Sequence, residues 1–190
     1  MASAIAGGLV ARGRPASGIA IVDPVDAQRA KLEAAIPGVR TYASVAAAAI
    51  AGSSIVVLAV KPQQMREACT ALAPHVASVL VVLSIAAGTR SSDISRWLSG
   101  YARIVRAMPN TPALVGAGIS GVWSSPSVGA KIVTGPAAFS VNWLGQRHVL
   151  DVDARSCSQG RPDRQRRRLP LRVDRVGVVE LDRALGGAER

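Results

Sequence analysis

Apolar residues fall along the first half of this chain in short continuous runs, separated by stretches with helical spacing. Ile19-Ala20-Ile21-Val22, Ile55 to Val60 and Val79 to Ile85 are runs of strand length, broken only by Ser84. A strand buried on both faces reads this way, and such strands belong to parallel sheets. Between the runs, Ala27 to Ile36 predicts a helix stopped by Pro37-Gly38, and Ser44 to Ile50 an Ala-rich helix with Ser44 as its N-cap. Gln63 to Leu72 and Ser92 to Leu98 predict two more, and Ala102 to Val105 a further strand. Ala2 to Arg12 predicts a helix with no strand ahead of it, and Gly7-Gly8 falls inside or late in that helix. The alternation predicts an α/β fold, a Rossmann-like doubly wound parallel sheet lacking its first strand. After about residue 153 the alternation fades.

The stretch Arg106 to Gly118 interrupts the pattern with Pro109-Asn110-Thr111-Pro112. Each proline fixes φ, removes a donor and pushes its predecessor toward an extended backbone. The expectation is a stiff loop after a strand, presenting one amide and one hydroxyl side chain. Such loops are either plain turns or places where α/β folds put ligand contacts.

Composition narrows the classes. Hydrophobic residues make up 49% of the 190 and aromatics only 3%, so the core must be Ala, Val, Ile and Leu. No apolar run approaches the roughly 18 residues of a membrane span. Met1 to Val10 lacks a basic leader, so no secretory signal and no membrane partner are expected. Cys69 and Cys157 form neither a disulfide framework nor a metal motif, which fits a cytoplasmic protein without a metal. The net charge is +11, from 20 Arg and 3 Lys against 12 acidic residues. Residues 155 to 175 hold 8 Arg against Asp163 and Asp174, whereas the charges before residue 150 are scattered. A basic arm can mark a nucleic-acid partner. Arg161 to Arg175 has no interleaved aromatics, so no nucleic acid is expected, and that reading stays an alternative.

Four blocks carry a family likeness: Met1-Ala2-Ser3-Ala4 with Gly7-Gly8-Leu9; Ala59-Val60-Lys61-Pro62; Ser84-Ile85-Ala86-Ala87-Gly88; and Arg106 to Gly118. In this order and spacing they make Met1 to about Asp153 resemble pyrroline-5-carboxylate reductase. The resemblance implies a Rossmann domain that binds NADPH or NADH and reduces a cyclic imine, 1-pyrroline-5-carboxylate, to L-proline in the last step of proline biosynthesis. Other β-hydroxyacid-dehydrogenase-like reductases share that half without the proline loop and are the enzymatic alternative. Family members open with a strand and Gly-x-Gly-Asn-Met-Ala, so Met1 looks like the Met inside that motif, with the first strand expected upstream.

The family continues into a helical domain that opens on Ser/Thr-Gly-Ser-Gly-Pro/Ala-Ala-Tyr and holds its imine-binding groups and homo-oligomer interface. Asp163 to Arg175 resembles none of this, yet its codons read one base later permit Thr-Gly-Ser-Gly-Ala-Ala-Tyr. The expectation is an incomplete nucleotide-binding domain over 1–153 and a frameshifted, disordered, non-native tail over 154–190, lacking the dimerisation domain and inactive by itself.

By the same resemblance the Ala59-Val60-Lys61-Pro62 backbone lines the nicotinamide-ribose side of the cofactor, with a solvent-exposed strand end as the alternative. Ala86-Ala87-Gly88 are small enough to let a backbone approach the cofactor, or simply make a tight turn. Asn110 and Thr111 would lie near nicotinamide and substrate, and Ser3 and Ala4 would border the pyrophosphate only with the family's upstream glycines restored. Asp23, ending a strand, can accept from an adenosine ribose hydroxyl and would repel a 2′-phosphate, or can serve only an Asp-Pro turn. No catalytic acid is evident: a protonated imine is already electrophilic, and alignment with the hydride donor supplies much of the rate. His75 and His148 have no partner pattern and read as surface residues.

Overall fold

The uninterrupted apolar runs become strands because helices cover both of their faces. The computed structural model describes residues 2–109, 120–128, 149–151 and 176–179. The chain runs α1 (Ala2–Ala11), β1 (Ile19–Val22), α2 (Asp26–Ala35), β2 (Arg40–Tyr42), α3 (Ala47–Ile50), β3 (Ile55–Leu58) and α4 (Met65–Leu72). It continues through β4 (Val81–Ser84), α5 (Ser91–Trp97), β5 (Ile104–Pro109), β6 (Ser120–Ser124), β7 (Val149–Asp151) and β8 (Val176–Val179). The strands form one sheet in the order β2-β1-β8-β3-β4-β5-β6-β7. Pairing is parallel from β2 to β5, antiparallel between β5 and β6, and parallel between β6 and β7.

Alternate strand residues serve two cores. Ile19, Ile21, Ile55, Val57, Val81 and Leu83 pack in one cluster with Ile5 and Leu9 of α1 and Leu32 of α2. Val22, Val56, Leu58, Val82 and Ile104 pack in the other with Ile50 of α3, Leu72 of α4 and Ile94 of α5. The chain therefore changes faces between β2 and β3, and β1 and β3 flank the switch point of a doubly wound sheet.

The α/β, Rossmann-like reading stands, and two expectations about its ends are corrected. Among the described residues no strand comes before α1, yet the position between β1 and β3 is not vacant. Val176–Val179 fills it, pairing with Ile19–Val22 on one side and Ile55–Leu58 on the other. At these four residues the 154–190 segment is sheet, not an unstructured tail. The strand after α5 is also longer than expected: it runs on through Arg106 to Pro109, with Met108 opposite Gly121 and Pro109 opposite Ser120. Proline is tolerated there because it closes the strand.

Two smaller differences follow from local geometry. Ser44 does not cap α3: the helix starts after Ala46, at φ −140° and ψ 165°, with no side-chain cap. Arg40–Tyr42, half-buried at every position, forms the outer edge strand. Its short polar sequence carried no strand signal.

Cys69 lies in α4, fully buried in the second core, and burial pushes its thiol up to about 12. It should resist alkylation at pH 8 until the protein unfolds, as peptide mapping would show. The thiol ionises near pH 9 only in the unfolded chain. Stability is thus full below that pH and falls above it, by about 1 kcal/mol at pH 10. Denaturant titrations at pH 8 and 10 on wild type and Cys69→Ala would isolate this contribution from that of Tyr101, which burial shifts the same way.

Candidate functional site

The segments singled out in the sequence begin one residue beyond a single row of the sheet. Tyr42, Val22, Val179, Leu58, Ser84 and Arg106 are consecutive register partners across β2, β1, β8, β3, β4 and β5. Asp23, Ala59 and Ile85 are the next residues along their strands. With strands about 4.8 Å apart, Asp23 and Ile85 stand roughly 14 Å from each other along one edge. This edge is at the carboxyl ends of the parallel strands, where open α/β sheets bind ligands.

Asp23 is only 2% exposed. Its Oδ1 accepts the Val25 N–H at 2.8 Å, which makes the Asp-Pro turn. Its own N–H donates to the Tyr42 carbonyl at 2.9 Å. Arg29 Nη1 donates to the Asp23 carbonyl oxygen at 2.7 Å, and Arg29 also pairs with Asp26. Arg29 thus ties α2 to the end of β1, a role the sequence reading missed although Asp26 and Arg29 have the spacing of a helix-face pair. Removing the turn acceptor by Asp23→Ala should cost about 1–2 kcal/mol in a urea titration, whereas Asp23→Asn, which keeps an acceptor, should cost less.

Ala59 is half-buried and Val60 is buried in the second core, while Lys61 and Pro62 are exposed. Pro62 opens a 3-10 turn that feeds α4, with the Gln64 N–H donating to the Lys61 carbonyl at 2.9 Å. Proline suits this position because its missing donor would be unpaired anyway.

The next loop is anchored at its base. The Ile85 N–H donates to the Leu58 carbonyl at 3.3 Å, and the fully buried Ser84 Oγ accepts the Ala86 N–H at 3.3 Å. Ala86 is buried, and Ala87 and Gly88 are exposed. Gly88 has φ +73°, and no heavy atom lies within 4 Å of where its Cβ would be. The turn therefore needs glycine for its backbone, and the space above it is open.

Ser3 is exposed in the first turn of α1, which contains no acidic residue. Asn110 and Thr111 lie outside the described residues, as does His148. His75 is half-buried in the 3-10 turn leading into β4, at the opposite end of the strands from this edge. The structure thus brings Asp23, Ala59–Pro62 and Ala86–Gly88 to one edge.

Arg106 joins them from β5, beside Ser84, with its Nε buried and without a hydrogen-bond partner among the described residues. An arginine inside the apolar run Ile104-Val105-Arg106-Ala107 was the available signal for it. Small residues, open backbone and the Arg106 guanidinium can receive an extended, flat, anionic ligand. Among the described residues no three His, Cys, Asp or Glu gather to hold a metal, and no helix is long and apolar enough to cross a membrane.

Residues 1–88 match the family described as NADP oxidoreductase, coenzyme F420-dependent. The pyrroline-5-carboxylate reductase of Pseudomonas aeruginosa is 43% identical over 132 residues, 68% of this chain and 47% of that protein. That of Haemophilus influenzae is 40% identical over 124 residues, 65% and 45% respectively. A solved pyrroline-5-carboxylate reductase from Coxiella burnetii superposes with a TM-score of 0.62 at 32% identity, over 68% of this chain and 48% of its own. The Plasmodium falciparum pyrroline carboxylate reductase, solved with NADP bound, shares the fold with a TM-score of 0.61 at 23% identity, over 78% of this chain and 53% of its own. The chain spans about half the length of the curated relatives it matches.

Proposed function

We propose that this chain, whose N-terminal two thirds belongs to the pyrroline-5-carboxylate reductase family by sequence and by fold, supplies the NAD(P)H-binding half of the reduction of 1-pyrroline-5-carboxylate to L-proline. The observation that carries this reading is the strand-end row that sets Ala59–Pro62, after the β3 strand that flanks the switch point, beside Ala86–Gly88, after β4. The residues present fit a dinucleotide. The space over Gly88 is open, Ala87 is small and exposed, and the first turn of α1 carries no acid to repel a phosphate.

When bound, the nicotinamide supplies the hydride. The backbones of Ala59–Pro62 and Ala86–Gly88 hold the nicotinamide-ribose end, and Ser84 fixes the second of these loops from below. Ser3 would border the pyrophosphate, and Asp23, besides closing its own turn, would accept from the adenosine ribose. Asn110 and Thr111 would contact the nicotinamide and the imine. The contribution of these groups is alignment, not proton transfer. Asp23 together with Asp26 leaves acidic groups where a 2′-phosphate would sit, which favours NADH. Residues 154–190 carry no counterpart of the family's helical-domain motif, so we assign the nucleotide-binding unit to 1–153, with Val176–Val179 of the following segment completing its sheet. A cytoplasmic setting accords with the buried free thiol of Cys69.

The test is a fluorescence titration of the 190-residue chain with NADH and NADPH, followed by addition of pyrroline-5-carboxylate. Saturable binding with NADH tighter, and imine-dependent oxidation at background, are expected. Absence of binding by either nucleotide would sink the reading.

A further inference from the structure

β8 sits where a parallel sheet can least tolerate a gap. Its neighbours β1 and β3 are buried at every position, so an empty slot between them would leave two rows of backbone donors and acceptors without partners and without water. The strand that fills the slot comes from the far end of the sequence, out of an Arg-rich stretch, and enters in register with both edges: Val176 beside Ile19 and Ile55, Val179 beside Val22 and Leu58.

The slot is narrow at one point. Gly177 is buried opposite Ala20 and Val56. A Cβ at this position would lie 3.3 Å from Ser53 Oγ, 3.6 Å from Val56 Cγ2 and 3.7 Å from Ile50 Cδ1. One methyl group would already press on the Ser53 hydroxyl in the turn between α3 and β3, and a larger side chain would have to displace Ser53, Val56 and Ile50. Ser53 itself is buried, and its hydroxyl makes no hydrogen bond among the described residues, so this wall is closely applied to the backbone of the strand.

We propose that the channel between β1 and β3 is a strand-acceptor site, selective for glycine at the second position of its occupant, and that residues 176–179 fill it in cis as the donor strand. The recognised chemistry is a short apolar extended segment, Val-Gly-Val-Val, held by main-chain pairing on both sides. Glycine at its second position is what fits the segment against the Ser53 hydroxyl and the Val56 side chain. The inference stands apart from the reaction proposed above, since it uses only sheet pairing and the fit at Gly177.

Hydrogen exchange read by mass spectrometry on the full chain tests it. In the wild type, the amides of 176–179 should exchange at the same slow rate as those of 55–58, as members of one cooperative unit. Gly177→Trp in the full chain should speed exchange across 19–22 and 55–58 by at least about tenfold. A synthetic peptide of residues 174–181 should restore protection, and the same peptide carrying Gly177→Trp should not.

Rapid exchange at 176–179 in the wild type, with 19–22 and 55–58 still protected, would overturn the proposal. So would unchanged protection in the Gly177→Trp chain. Protection that rises with protein concentration alongside a dimer on a sizing column would overturn the assignment in cis, placing the donor on a second copy. Should Gly177→Trp fail to fold, the wild-type exchange pattern still decides.

Discussion

Ala87→Trp is expected to weaken NADH binding by about 100-fold or more while leaving the fold in place. Ala87 is exposed at the tip of the loop after β4, so an indole there adds no strain to either core. Exposed substitutions of this kind ordinarily change stability by less than about 0.5 kcal/mol. The indole would fill the open space beside Gly88, where the proposed nicotinamide end must approach the backbone. A hundredfold loss corresponds to about 2.7 kcal/mol, within reach of simple steric exclusion from a site that depends on small residues. The comparison variant is Ala86→Val. Ala86 is buried, so its extra methyl groups should register as about 1–3 kcal/mol of lost stability, with any loss of binding following from that. Paired fluorescence and urea titrations separate the two. Unchanged NADH affinity in Ala87→Trp would move the cofactor away from this loop.

The parts of this fold that were legible in sequence are those whose identity is local. Ile19–Val22, Ile55–Leu58 and Val81-Val82-Leu83 announce themselves because each belongs to a run of at least four consecutive apolar residues, which suits a strand covered on both sides. Pro37-Gly38 ends α2 because proline leaves the helix and Gly38 accepts φ +87°. The site was legible to the same extent, since strand ends in a parallel sheet fall on one edge once the strands are known. Asp23 shows where residue-level reading stops. A buried carboxylate that closes its own turn and a carboxylate that meets a ribose have the same sequence, and only the bond to the Val25 N–H shows that the first role is filled.

What was not legible depends on partners distant in the chain. Val176–Val179 is four residues between Arg175 and Glu180 in a segment without periodicity, and nothing local marks it as the centre of a sheet. It is a strand because β1 and β3 present unpaired edges on either side, and because the glycine in its second position fits against Ser53 and Val56. Arg40–Tyr42 is a strand for a similar reason, through its pairing with β1. The Pro109-Asn110-Thr111-Pro112 motif predicts a loop from Arg106 on, whereas an antiparallel partner at Ser120–Ser124 extends the strand to Pro109. In each case propensity was weak and pairing decided.

The strongest expected effect on stability lies in the second core. Leu72 closes α4, is fully buried, and shares its cluster with Met65, Val82, Ile94 and Leu98, so it helps bind α4 and the strands into one packed layer. Leu72→Ala removes three carbons from a site built largely of Val, Ile and Leu, with few aromatics able to shift into the gap. The lost transfer energy and the residual cavity together should cost about 2–5 kcal/mol. Against a total of roughly 5–15 kcal/mol for a domain, that is a large share of the margin. Met108, at 52% exposure near the end of β5, is the matched control: truncation to Ala there should change stability by less than about 0.5 kcal/mol. Urea titrations should show the Leu72→Ala midpoint falling at an unchanged slope, the signature of lost stability without a change in the surface exposed on unfolding. Equal midpoints for the two variants would mean that α4 is not packed on the sheet as the buried side chains place it.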